Sequence, residues 1–311
     1  MADNLDLPGF HRLLADGRSQ RVFVSPGPSG DRVLVLDLSG APVRAIEGLP
    51  GACGLAVSRD GGTLYVALRH AGAIAEVDIS GLGVIRWHHL PGQAQPESLA
   101  RAGDTLWFGY HGPTTWNGRI GGLDPLTGRL WTEAHPTRYW RAPELAADDG
   151  VLLAVQGGLT PSAVHVYEVT GDVLRLSRAT DEVSPNLIDA VLVPGGGALL
   201  AVGAAHDRVA AFTLPGLARN GGYAAGPYPN AVAIRPDGRY VAVGRRSLGG
   251  ADVRVYRRDL AEPVAVLEVG GQTTLADRGL AWAPDGSALY AVTTPLDGPE
   301  PSLSVLCSSI T

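Results

Sequence analysis

Residues 63–67 read TLYVA, and the pattern returns at 105–109 (TLWFG), 151–155 (VLLAV), 198–202 (ALLAV), 240–244 (YVAVG) and 288–292 (ALYAV). RVFVS at 21–25 is a seventh copy. Each copy is a β-rich run that follows a turn, and two further strand-sized runs complete the unit after the inner one. Turn landmarks at Asp16, Asp60, Asp104, Asp149, Gly195, Asp237 and Asp285 recur about every 45 residues. Four strands in a period of this length are the signature of a β-propeller. Seven units fill essentially all 311 residues. The expectation is therefore all-β: a seven-bladed β-propeller of four-stranded antiparallel blades, forming one domain over residues 1–311.

The connections carry turn chemistry. RDGG (59–62), ADDG (147–150), PGGG (194–197), PDGR (236–239) and PDGS (284–287) stand between the first and second strands. Pro presets φ, Asp caps the turn and Gly takes positive φ. DLSG (37–40), DISG (78–81), PLTG (125–128) and EVTG (168–171) serve the third-to-fourth connections. These turns belong to one face, and their aspartates are read as structural. The inner strands are rich in Gly and Ala, which suits a hub where seven strands converge. Unit seven has three clear strands, ending at 301–308. Residues 4–7 are expected to supply its outer strand, closing the ring and covering an open edge.

Composition narrows the function classes. The net charge is −6 and no basic run occurs, which argues against a nucleic-acid partner. All 25 basic residues are arginine, so lysine Schiff-base chemistry is excluded. No apolar stretch reaches the roughly 18 residues of a membrane span. The start, Met1-Ala2-Asp3, has no signal-peptide pattern. The expected location is secreted or cell-surface if a signal peptide was removed, and cytoplasmic otherwise. Cys53 and Cys307 fall in units two and seven, so two free thiols are expected.

The runs LYVA (64–67), YVAV (240–243) and LYAV (289–292), with the turns RPDG (235–238) and APDG (283–286), resemble the YVTN-repeat propellers. The Ala/Gly/Arg-rich style is similar to propeller modules of secreted or surface proteins of actinobacteria. The resemblance covers the whole chain. It implies the fold; its members include binding scaffolds and some lactone hydrolases.

Motifs for the common hydrolase and nucleotide-binding families are absent. The face opposite the capped turns holds the candidates. Inner strands begin there with Pro96-Glu97, Pro143-Glu144, Pro185-Asn186 and Pro229-Asn230, and Asp189 and Arg278 occupy neighbouring positions. Glu97, Glu144, Asn186 and Asn230 either offer oxygens to a hard cation such as Ca²⁺ or cap strand ends. His70, His111 and His206 follow second strands on the same face. His88 and His89 alternate across a fourth strand. The sharpest irregularity is in unit three, where a long connection at 110–118 carries Trp116 and the connection at 135–143 carries Tyr139 and Trp140. Tyr228 adds an aromatic at the same mouth. Such aromatics stack on sugars or anchor peptides, or else pack as a lid.

The leading expectation is a monomeric, non-enzymatic recognition module without a cofactor. It binds a peptide, partner protein or glycan through Trp116, Tyr139, Trp140 and Tyr228, with Glu97, Glu144 and Asn230 orienting the ligand. One alternative is a metal-dependent, lactonase-like hydrolase with Ca²⁺ at the hub. Its support is residue type, since lactonase propellers resemble this hub in their carboxylates and amides but usually have six blades. A second alternative is a passive structural domain of a larger surface protein.

Overall fold

The repeated runs form strands because alternate Val, Leu and Tyr side chains are carried into the gaps between neighbouring sheets. A computed structural model describes residues 3–307 apart from 115, 149, 195–197, 204–206, 247–251, 270–272, 297 and 299. Asp149, the three glycines of the PGGG turn, His206, the Cys307 side chain and Ser308 thus lie outside the described residues.

Among the described residues the chain forms strands and no helix, so no helix is long and apolar enough to cross a membrane. After the short β1 (Asp3–Asn4), the first sheet is β2 (Arg12–Asp16), β3 (Arg21–Ser25), β4 (Val33–Asp37) and β5 (Pro42–Ile46). The second is β6 (Ala52–Val57), β7 (Thr63–Leu68), β8 (Ala73–Asp78) and β9 (Gly83–His89). The third is β10 (Gln95–Ala102), β11 (Thr105–His111), β12 (Gly118–Leu123) and β13 (Leu130–Trp131). The fourth is β14 (Glu144–Asp148), β15 (Val151–Gln156), β16 (Ala163–Thr170) and β17 (Val173–Thr180). The fifth is β18 (Leu187–Leu192), β19 (Ala198–Gly203), β20 (Arg208–Thr213) and β21 (Ala218–Ala224). The sixth is β22 (Pro229–Ile234), β23 (Tyr240–Arg245), β24 (Asp252–Arg257) and β25 (Pro263–Glu268). The seventh is β26 (Thr273–Trp282), β27 (Ala288–Pro295) and β28 (Ser302–Cys307), with β1 as its fourth strand.

All strand pairs are antiparallel, and the first strand of each sheet packs on the first strand of the next. β26 packs on β2 in the same way. The apolar core is correspondingly divided into layers between successive sheets. Phe23, Val35, Leu64 and Val66 lie between the first and second. Trp107, Ile120, Leu145 and Leu152 lie between the third and fourth. Side chains also stitch one inner strand to the next, at spacings close to one repeat. Ser98 Oγ donates to Pro143 O at 2.6 Å, Val232 N donates to Asp189 Oδ2 at 2.9 Å, and Asn230 Nδ2 donates to Leu275 O at 2.8 Å. Close approach at these joints explains Gly109, where an added Cβ would stand 2.1 Å from Pro143 O.

The seam between the seventh and first sheets differs from expectation in detail. β1 is two residues long, pairing Asp3 with Leu303 and Asn4 with Ser302, and Leu5 N then donates to Pro301 O at 3.0 Å. Leu5 and Leu7 do not continue the strand. They turn inward, 5% and 2% exposed, among Leu13, Val22, Tyr290 and Leu303. Arg32 clamps the segment by donating to the Asp6 carbonyl and, at 2.8 Å, to its carboxylate.

The turn aspartates are held by their own turns. Asp60 accepts from Ser58 Oγ at 2.5 Å and Gly62 N at 3.1 Å, and Asp285 accepts from Ser287 Oγ at 2.6 Å. These donors favour the anion and keep both carboxyls below the usual aspartate range. Cys53 is a free, buried thiol whose burial pushes its pKa up.

Candidate functional site

The first strands of sheets two to four begin at one end of the molecule, and the loops of the third sheet fold over that end. They frame an open cavity of about 510 Å³. Glu97 and His111 stand in it, with Arg69 from the loop after β7 and Gln93 and Gln95 from the approach to β10. Trp140 and Arg141, from the connection before β14, form the opposite wall. Trp116 lies edge-on against Trp140, with ring centroids 6.0 Å apart at 65°. Trp116 is 63% exposed, whereas Trp140 is half-buried. Gln93 and Trp116 both hold positive φ, 59° and 61°. Left-handed backbone at bulky residues costs energy and concentrates at ligand sites.

Glu97 organises the cavity floor. His111 Nε2 lies 2.6 Å from one carboxylate oxygen, Arg69 Nη1 3.6 Å from the same oxygen, and His11 Nε2 3.9 Å from the other. Burial opposes ionisation of Glu97, but the two imidazoles and the guanidinium outweigh it and hold the carboxyl well below the usual range.

A second network fills the centre. Arg278, at the inner strand of the seventh sheet, reaches across to the fourth and fifth. Its Nη1 lies 3.1 Å from Glu144 Oε1 and its Nε donates to Ile188 O at 3.0 Å. About 10 Å³ of free space remains among Arg12, Glu144, Asp189 and Arg278. Burial raises the Asp189 carboxyl above its usual value despite Arg278 and the Val232 N–H. Burial pushes Glu144 the same way, but Arg278 leads the neighbouring cations that turn it downward. Arg278 has φ 61°, so its backbone too is held in the left-handed region.

The structure brings Glu97 and Trp140 into one cavity and sets Trp116 against Trp140 outside its lining, and the other expected ligand-binding residues do not line it. Tyr139 is not a surface anchor. It is 2% exposed, its hydroxyl is 2.7 Å from that of Tyr167, and its ring meets His165 at 5.1 Å. The cause is the two-residue β13: the chain returns to the sheet as an isolated Gly118–Tyr139 bridge, so Tyr139 behaves as an outer-strand residue. Glu144 is spent on Arg278. Asn230 is 1% exposed, donates to Leu275 O and Asp277 Oδ1 and so joins the sixth sheet to the seventh, outside the cavity lining. Tyr228 is 61% exposed, with φ 56°, but does not line the cavity. His70 is exposed, while His88 is buried 2.7 Å from Glu76 and His89 is exposed on the other face. Arg69, Gln93, Gln95 and Arg141 escaped sequence reading; their one signal is adjacency to the Pro-Glu and Trp-bearing connections.

Burial lowers the pKa of His135 and His165, and the charge of His135 lowers His165 further. The unfolded chain therefore binds more protons than the folded one just below the usual value of 6.5. Stability from these two groups is full above that value and falls as pH drops through and below it. His165→Gln is expected to flatten the fall between pH 7.5 and pH 5 in urea melts; a slope equal to wild type would show that the imidazole does not carry it.

Donor atoms of His11, Glu97 and Glu144 approach within 4.8 Å of one another, the one such group among the described residues. The surroundings do not suit a hard cation. Glu97 already faces Arg69 and Glu144 already faces Arg278, so an added dication would meet two guanidiniums. A hollow of about 700 Å³ lies at the opposite end, where Arg59 pairs with Asp104 at 3.6 Å, Arg129 pairs with Asp172, and Arg101 donates to the Gly103 carbonyl.

This arrangement of sheets is that of a β-propeller, and solved structures agree. Kuenenia stuttgartiensis hydrazine synthase superposes with a TM-score of 0.72 at 18% identity, covering 99% of this chain and 98% of that one. The β-propeller domain of Cps50 (Swd1) from Myceliophteria thermophila gives 0.72 at 12%, covering 97% and 99%. A chain of the mitotic checkpoint complex gives 0.72 at 15%, covering 98% and 90%. The chain therefore has the β-propeller fold. No protein-family model and no curated protein matches it.

Proposed function

We propose that this chain is a non-enzymatic recognition module, one closed seven-bladed propeller of the YVTN-repeat type, that takes its ligand in the cavity over the second to fourth sheets. The carrying observation is a 510 Å³ space walled by an indole, two guanidiniums and two amides over a floor of the Glu97 carboxylate and the His111 imidazole. That volume is ordinary for a small-molecule or side-chain site, and a few polar groups around an aromatic wall are its usual lining. Closure of the ring is supported by the contact of β26 with β2 and by the β1–β28 pairing. The neighbour from the mitotic checkpoint complex is a propeller found in an assembly, which is compatible with an interaction role. The pairing of Glu97 and Glu144 with arginines weighs against the cation-dependent hydrolase.

The working groups are Trp140 as the apolar anchor, its ring braced by Trp116, with Arg141, Gln93 and Gln95 as polar contacts. Arrays of glycans and of peptides probed with the purified protein will find the ligand. Trp116→Ala with Trp140→Ala is expected to weaken that binding by about 3 kcal/mol, roughly 100-fold. Trp116→Ala alone, at an exposed side chain, leaves folding intact and isolates the binding effect. Unchanged affinity in both variants removes the cavity from the site.

A further inference from the structure

We propose that the cavity selects an acidic sugar, a pyranose bearing a carboxylate; this rests on the recognition reading above and names its ligand class. Three observations converge. The first is charge. Arg69 is engaged by Glu97, but among the described residues Arg141 donates to the Gly157 carbonyl alone, at 3.1 Å, and no carboxylate is within ion-pair range of it. A guanidinium left without an anion at a cavity wall, in a chain of net charge −6, is matched by an anionic ligand, because its planar fork binds carboxylates in two places. The second is the pair of exposed amides. Gln93 and Gln95 line the cavity and have no partner among the described residues, and each offers a carbonyl acceptor beside two N–H donors. Neighbouring ring hydroxyls are both donor and acceptor and complete such groups. The third is Trp140, whose half-buried ring is braced by Trp116 and gives the C–H face of a sugar an apolar wall. An extended peptide is the weaker fit, since strand addition needs an open sheet edge and the cavity is walled chiefly by side chains.

The test is calorimetric titration with short uronic-acid oligosaccharides and with neutral oligosaccharides of the same linkage. The acidic series is expected to bind at least tenfold more tightly, with the advantage shrinking as salt is raised. Arg141→Gln is expected to abolish the preference, bringing the acidic series down to the affinity that the same variant shows for the neutral series, and an unchanged melting temperature certifies its fold. Equal binding of the two series, or a preference that survives Arg141→Gln, overturns the proposal. Peptide binding that is lost in the double tryptophan variant, with no sugar bound, overturns the acidic sugar but keeps the recognition reading. Sugar binding that ignores the tryptophans overturns both.

Discussion

Deletion of residues 1–8 is expected to lower the midpoint of thermal unfolding by roughly 8 °C. Beyond the two-residue pairing of β1 with β28, the segment is tied by Leu5 N to Pro301 O and by Arg32 to Asp6. Its weight lies in Leu5 and Leu7, which are buried between the seventh and first sheets. Full burial of a leucine is worth about 1.5–3 kcal/mol, so the pair supplies about 4 kcal/mol. For a chain of this size each kcal/mol moves the midpoint by about 2 °C. Loss of the segment also bares β28, whose unpaired edge invites association. Calorimetry of the truncated chain checks the first effect and light scattering the second. Leu5→Ala with Leu7→Ala separates the two, because it removes the packing and leaves the strand. An unchanged midpoint in both variants would mean that the seam holds without its leucines.

Replacement of Arg278 by Met should destabilise the protein by about 3 kcal/mol at neutral pH, the usual cost of leaving a buried charge without its partner. Glu144 then loses the guanidinium 3.1 Å away, and Asp189 loses the same cation. Without it both carboxyls are governed by burial, and their folded-state pKa values rise above the unfolded ones. A group raised in this way stabilises the fold below its unfolded pKa, and that contribution is lost as pH rises. The deficit of Arg278→Met relative to wild type should therefore shrink as pH falls toward 4. Adding Glu144→Gln should recover part of the loss at pH 7, since it removes one stranded charge. Urea melts at pH 4 and pH 7 measure this, and a deficit independent of pH would mean that the carboxylates are not what Arg278 serves.

The strands and turns were legible because their signals are local. Alternation in runs such as 63–67 and the Asp-Gly turns each act within a few residues. The beginnings of the inner strands were legible for the same reason, which placed Glu97, Glu144 and Asn230 near the centre. Their partners were not legible. Arg278 meets Glu144 across the molecule, and no spacing rule relates the two positions. Tyr139 was misplaced because β13 ends after Trp131, and the sequence gives no sign that the chain then rejoins the sheet at Gly118. Arg141 looked like one arginine among 25 until the fold placed it in the cavity wall beside Trp140.

The two-residue β1 also sets a timetable for biosynthesis. About 300 positions separate Asp3 from Leu303, and ribosomes add roughly 5–20 residues per second, so β1 waits about 15–60 s for its partner strand. Throughout that interval Leu5 and Leu7 lack the seventh-sheet half of their packing, Tyr290, Val292 and Leu303, and the first sheet presents an uncovered flank. Nascent chains stalled before residue 301 should therefore be held by chaperones, and release should follow once β28 has left the exit tunnel.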